Sequence, residues 1–332
     1  MGTNYSRRRQ SGRFCGPLAL ALAEAVPGAT DPVDAILRHA QFLLIESGIS
    51  EPPFDPRAYA RLRNVVSIAE RELRVDGRLL PLGGEFIIEL RRDRSPERKN
   101  FTCAHELGHT FFYESVPSIK YRRSRSPAPA FDQEEEKLCN IAAAELLMPT
   151  DAFRKLANDF LPSTSSLLRI AKIFVASLTA TAIRVCSLTR WDATFILWTR
   201  HEDGVQAKWI VRPREGFRYL PSIEPIDPKS SGIYHTVNTR EPTTTREFLL
   251  TNQGVRPCRV ESVFLTNECV LSCITSSGPQ GSSNSNVRST KQTLLPLDYR
   301  CGCYGTGWTQ TVVDGRLTAR RCLAVRHVTS GN

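Results

Sequence analysis

Residues 101–113 read Phe-Thr-Cys-Ala-His-Glu-Leu-Gly-His-Thr-Phe-Phe-Tyr. Phe101, Cys103, Ala104, Leu107, Phe111 and Phe112 give this stretch an apolar flank at helical spacing, and the pattern predicts a buried helix over Asn100–Tyr113. His105 and His109 are four apart, so on a helix they share one face, one turn above the other. Both can aim a ring nitrogen at a single ion about 2.0–2.1 Å away. Glu106 stands beside them, where its carboxylate can take a proton from an attacking water. This is the His-Glu-x-x-His pattern of a metallopeptidase helix. The plain alternative is two capping or surface histidines, but an apolar flank argues for burial, and buried histidines need partners.

Two histidines leave a catalytic zinc one protein ligand short. Downstream, Glu134-Glu135-Glu136-Lys137-Leu138-Cys139-Asn140 opens a second predicted helix, Glu134–Met148, which Pro149 stops. Glu136 and Asn140 are again four apart and can both face the first helix. Glu136 is the expected third ligand. Asn140 is expected to accept the outer N–H of a ligating histidine and so fix its tautomer. Glu134 and Glu135 are expected to be a solvated first turn favoured by the helix dipole.

Upstream, Phe86–Leu90 reads as a strand whose edge would receive an extended peptide. Ala58–Leu73 reads as a helix. A further helix through Ala35–Ile45 is capped by Asp31 or Asp34. Residues 1–30 read as a basic tail carrying Arg7-Arg8-Arg9, running into a possible helix. Its short apolar run contains Pro17 and is cut by Glu24, so it is a poor signal peptide. Gly2 and Ser6 match a myristoylation pattern only weakly.

The block Arg98–His109 resembles the metal helix of the ImmA/IrrE family of metallo-endopeptidases. The run Glu136–Pro149, with Ala143-Ala144-Glu145-Leu146-Leu147-Met148-Pro149 at its end, is similar to that family's other signature. Cys139 stands where Ala is usual and Ala142 where an aromatic is usual; neither touches a ligand position. The resemblance covers about residues 85–190. It implies an α+β fold with a gluzincin-like metallopeptidase domain of helices and a small sheet. It also implies a protein substrate, a helix-turn-helix transcriptional repressor cleaved or otherwise inactivated in a stress or mobile-element response. Leu167–Val185 is similar to the helix pair that follows the signature in the family. That pair has a DNA-binding shape, yet its second helix carries Ser177, Thr179 and Thr181 and a single base, Arg184, so packing against the core is the favoured expectation over DNA contact.

The expected organisation is a tail over 1–30, a zinc metallopeptidase domain over 31–160, a helix-turn-helix-like segment over 161–190 and a β-rich C-terminal domain of unknown role over 191–332. In the last region Ala193–Trp198, Val205–Val211, Arg259–Leu265 and Cys269–Thr275 read as strands. Ser276–Ser289 reads as a linker, and Arg300–His327 as β-like.

With 332 residues, 41% hydrophobic and 8% aromatic, the chain can fill more than one core and is not of disordered composition. A formal charge of +10 permits nucleic acid or an acidic protein as partner. The segment Lys120-Tyr121-Arg122-Arg123-Ser124-Arg125, between the two metal helices, could steer such a partner or simply be solvated. Ten cysteines are scattered without the spacing of a disulfide scaffold or zinc ribbon, so a reducing cytoplasm is expected. Cys269, Cys273, Cys301 and Cys303 read as strand thiols. Tyr234, His235 and His327 are distant candidates for an oxyanion donor. No stretch approaches the ~20 apolar residues of a membrane span. The expected function is therefore peptide hydrolysis with one Zn2+ per chain. The alternative is a module that binds a repressor or DNA without cutting.

Overall fold

The computed structural model describes residues 14–115, 132–201, 204–213, 231–252, 254–265, 268–276, 308–313 and 316–321. The architecture is α+β, as the sequence implies. The chain forms two compact units, Met1–Lys155 with Lys172–Ser177, and Leu156–Ala171 with Leu178–Asn332.

The first unit opens with α1 (Pro17–Ala25) and α2 (Pro32–Ser47). Asp31 caps α2 by accepting the N–H groups of Val33 and Asp34 at 2.9 Å, Pro32 fits the first helical position, and Gly48 ends the helix at φ 67°. Between the α2 and metal-helix regions the sequence expectation fails. Ala58–Leu73 is not a helix. A short α3 (Pro56–Tyr59) and a 3-10 turn (Ala60–Arg63) end at Asn64, which is left-handed at φ 56°. The chain then enters strand β1 (Val65–Arg71). The β-branched Val65 and Val66 and parallel pairing with a distant strand outweigh the local helical spacing.

β2 (Gly77–Leu82) and β3 (Glu85–Arg91) follow, in the sheet order β1-β3-β2. β3 is central, parallel to β1 and antiparallel to β2, with Leu79 opposite Ile88. The strand expected to offer an edge is therefore paired on both sides, and β2 is an edge instead. β3 alternates, burying Phe86, Ile88 and Leu90.

The metal-helix pair packs behind this sheet as α4 (Pro96–Ser115) and α5 (Asp132–Leu147). α4 fully buries Leu107, Phe111 and Phe112; α5 buries Leu138, Cys139, Ala142, Ala143 and Leu146. Each such large side chain contributes about 1.5–3 kcal/mol. Gly108 sets the crossing distance. A Cβ there would lie 3.1 Å from Cys139 Cα and 3.3 Å from Ala142 Cβ, so the helices meet backbone to backbone. The buried Tyr59 hydroxyl donates to Leu146 O at 2.9 Å and ties the sheet's approach to α5. Glu145, buried, accepts from Thr150 N and Oγ1 and starts α6 (Thr150–Asn158).

α7 (Thr164–Phe174) and α8 (Leu178–Leu188) are bent by 107° at their break, within the range of helix-turn-helix pairs. In α8 only Ser187 is exposed, the other residues being buried or half-buried.

In the second unit, β4 (Ala193–His201), β5 (Gly204–Val211), β6 (Thr243–Thr251), β7 (Gly254–Phe264) and β8 (Cys269–Ser276) form an antiparallel sheet in the order β5-β4-β8-β7-β6. Helix α9 (Gly232–Thr239), capped by Ser231, adds Ile233 and Val237 to a core of Ile196, Trp198, Val260, Val270 and Ile274. Neither α9 nor β6 is anticipated from the sequence. β9 (Trp308–Val313) and β10 (Arg316–Arg321) pair antiparallel, within the segment read as β-like.

Among the described residues no single helix is long and apolar enough to cross a membrane. The Arg7–Arg9 tail, the Gly2 pattern, the Lys120–Arg125 segment, most of the Ser276–Ser289 linker, and Cys301, Cys303, Cys322 and His327 lie outside the described residues.

Candidate metal centre

α4 and α5 bring His105, His109 and Glu136 to one point. His105 Nε2 and His109 Nε2 are 3.2 Å apart. Glu136 Oε2 is 3.1 Å from His105 Nε2, and its Oε1 is 3.4 Å from His109 Nε2. Two ligand atoms about 2.0–2.1 Å from one tetrahedral ion lie roughly 3.3 Å apart. The triangle is therefore of the size that a zinc ion fits, and its nitrogen and oxygen donors suit that ion. The histidine side chains are 14% and 15% exposed and Glu136 is 55% exposed, so the point is walled by the imidazoles and open on the carboxylate side.

The outer ring nitrogens are both engaged. His105 Nδ1 donates to Asn140 Oδ1 at 3.0 Å. His109 Nδ1 donates to Glu135 Oε1 at 2.7 Å. Sequence reading assigned Glu135 to solvent, and this is a correction: the residue is buried, at 7% exposure. Glu134 is not simply solvated either. It accepts from Gly16 N at 2.8 Å and Cys15 N at 3.3 Å, the start of α1. One acidic triplet thus points three ways, because successive helical residues turn by about 100°. The missed signal was Glu135's position four residues before the apolar-facing Cys139, which places both on the buried face.

Glu106 is buried on the sheet side of α4. Burial pushes its carboxyl above the usual range, against the pull of His109 and His105 and of the Leu79 N–H that donates to it. Glu136 is different: although partial burial opposes it, the neighbouring His105 and His109 rings draw its carboxyl well below that range.

β2 runs close over Glu106. A Cβ on Gly77 would collide with Thr102 Cγ2 and lie 3.4 Å from Glu106 Oε1, so only glycine lets the strand come this near. Asp76, just before β2, accepts from Arg94 Nε at 2.6 Å and from Arg98 Nε at 2.8 Å, pinning the strand's start to the beginning of α4. Its carboxyl stays below the usual range even though burial opposes this, because Arg98 and Arg94 hold the anion.

Tyr234 and His235 lie on α9 of the second unit. Cys269 and Cys273 are buried cysteines on β8, with no disulfide between them. Among the described residues, both clusters of three metal-ligating side chains lie in the first unit: His105, His109 and Glu136, and His109, Glu135 and Cys139.

Residues 67–185 match the family model for the IrrE N-terminal-like domain. The chain is 32% identical over 106 residues to the radiation response metalloprotease IrrE of Deinococcus radiodurans, which covers 30% of this chain and 32% of that protein. It is 32% identical over 77 residues to the protein of the same description from Deinococcus deserti, 23% of this chain and 27% of that one. The chain thus spans about a third or less of the length of these relatives. A solved Mycobacterium tuberculosis transcriptional regulator is similar at a TM-score of 0.47 and 13% identity, over 73% of this chain and 88% of that one, a likeness too slight to carry an argument. The matched segment begins in β1 and ends in α8, and so holds every residue of the metal triangle. Over residues 67–185 the chain thus resembles the ImmA/IrrE family, and this IrrE N-terminal-like segment carries the His-His-Glu group able to hold a metal.

Proposed function

We propose that the chain is a zinc endopeptidase that hydrolyses a peptide bond in a protein substrate, with one zinc per chain held by His105, His109 and Glu136. The observation that carries this reading is the triangle of three donor atoms, 3.1–3.4 Å on a side, beside a buried glutamate. Bound zinc supplies Lewis-acid polarisation of the scissile carbonyl and a lowered pKa for water. Glu106 is the general base. It accepts the proton of the attacking water and delivers it to the leaving amine. Asn140 holds the His105 tautomer that leaves Nε2 free to ligate. β2, an edge strand beside Glu106, offers its backbone to an extended substrate.

The substrate is a helix-turn-helix repressor, and the setting is cytoplasmic. The family resemblance and the radiation response named for the two relatives support this. A rival reading is capture of the repressor without cleavage. Against it stands Glu106, which capture does not need and which the fold keeps buried at the metal point. A DNA-binding reading is disfavoured because α8 exposes only Ser187 and keeps its one base, Arg184, half-buried.

Incubating the chain with the repressor encoded beside its gene, with zinc or with a chelator, tests the proposal. Fragments that form with zinc and vanish with chelator are expected. A stable complex of intact proteins under both conditions would replace cleavage by capture.

A further inference from the structure

Glu136 and Glu135 are neighbours on α5 with opposite surroundings. Glu136 is half exposed and faces the ligand point. Glu135 is buried and faces the far side of the His109 ring, 2.7 Å from Nδ1. An imidazole in ligating form has one proton for its two nitrogens. A carboxylate at Nδ1 keeps that proton there and leaves Nε2 as the bare donor, in a fixed ring plane. His105 has the same kind of support from the neutral Asn140 oxygen at the longer distance of 3.0 Å. Hydrogen bonds to an ionised acceptor are about twice as strong as neutral ones, so the two ligands are held unequally.

Cys139, fully buried and one turn along from Glu135, closes a second cluster of ligating side chains around the same Nδ1. Two arrangements compete there. A second cation would have to expel the Nδ1 proton, break a 2.7 Å hydrogen bond and share one imidazole with the first ion. The hydrogen bond requires none of this and already has ideal length for a charged pair.

We infer that Glu135 is a positioning residue of the metal centre: its buried carboxylate locks His109 so that Nε2 meets the ion, and Glu135, His109 and the metal form one carboxylate–histidine–metal relay. This rests on the proposed metal site. It also assigns a task to the acidic triplet beyond the ligand itself.

The test is zinc affinity by chelator competition, with the visible spectrum of the Co2+-loaded protein, for wild type, Glu135→Ala, Glu135→Gln and Glu134→Ala. Loss of such an outer partner typically weakens metal binding about 10–100-fold. That loss is expected for Glu135→Ala, together with altered Co2+ bands. Glu135→Gln, which keeps an acceptor oxygen, should fall between it and wild type, and also serves if Glu135→Ala does not fold. Glu134→Ala, an acid of the same turn that bonds α1 instead, should match wild type. Unchanged affinity and spectrum in both Glu135 variants would overturn the inference and leave the metal site standing. A wild type that takes up two zinc ions, one lost in Glu135→Ala, would overturn it in favour of a second cation site. A wild type that binds no zinc would sink the metal site itself, and this role with it.

Discussion

The two units arrange their buried and half-buried polar side chains in opposite ways. In the first, His105, His109 and Glu136 turn their donor atoms toward one shared point, while Asn140 and Glu135 stand behind them. In the second, buried polar groups close on one another. Trp198 Nε1 donates to Ser272 Oγ at 3.0 Å, and Ser272 and Ser262 hydroxyls meet at 2.7 Å. Half-buried groups do the same: Thr243 meets Thr236 at 2.7 Å, and Glu247 accepts from Gly232 N and Thr245 Oγ1. A pattern that converges on a point reads as a site, since buried donors and acceptors are otherwise satisfied among themselves. Burial of polar atoms alone does not distinguish the two; the direction of their free valences does.

The largest effect is expected at Glu106. Glu106→Gln keeps shape and hydrogen bonding but removes the proposed base, so peptide cleavage should fall by about 10²–10⁴-fold while zinc content stays at the wild-type level. Cleavage at the wild-type rate would reduce Glu106 to a structural acid like Glu247. Next comes the seam on which the triangle rests. Gly108→Val puts side-chain atoms where Cys139 Cα is 3.1 Å away, and forced overpacking costs about 1–3 kcal/mol. Thermal unfolding should show that loss, with weaker zinc binding as α4 and α5 separate. An unchanged Tm would mean that the helices do not cross as closely as described. The smallest effect lies in the second unit. Ser272→Ala removes the middle of the Trp198–Ser272–Ser262 chain and should cost about 1 kcal/mol in denaturant unfolding. Zinc affinity should not move; if it did, the second unit's polar core would belong to the metal centre after all.

What the sequence makes legible divides along the same line. α4 and α5 are readable, and with them the shared face of His105 and His109 and that of Glu136 and Asn140, because helical spacing is local and repeats within one turn. β1 is not, because Val65–Arg71 becomes a strand only through pairing with β3 some twenty residues on. The strand order is hidden for the same reason: which strand is an edge depends on register, not on composition. α9 and β6 escape because Thr-rich and short segments carry weak periodicity; β6 reads Thr-Thr-Thr-Arg-Glu-Phe-Leu-Leu-Thr and exposes Phe248 and Leu250. Glu135 was hidden by its neighbours. A run of three acids looks like a solvated turn until one asks where each member points.

That run has a mechanical meaning. Its three carboxylates meet the start of α1, the His109 ring and the ligand point in consecutive steps around α5. Three neighbouring carboxylates in one turn therefore serve three separate seams: Glu134 fastens the start of α1 to α5, Glu135 braces the His109 ring from behind, and Glu136 faces the point where the two histidines converge.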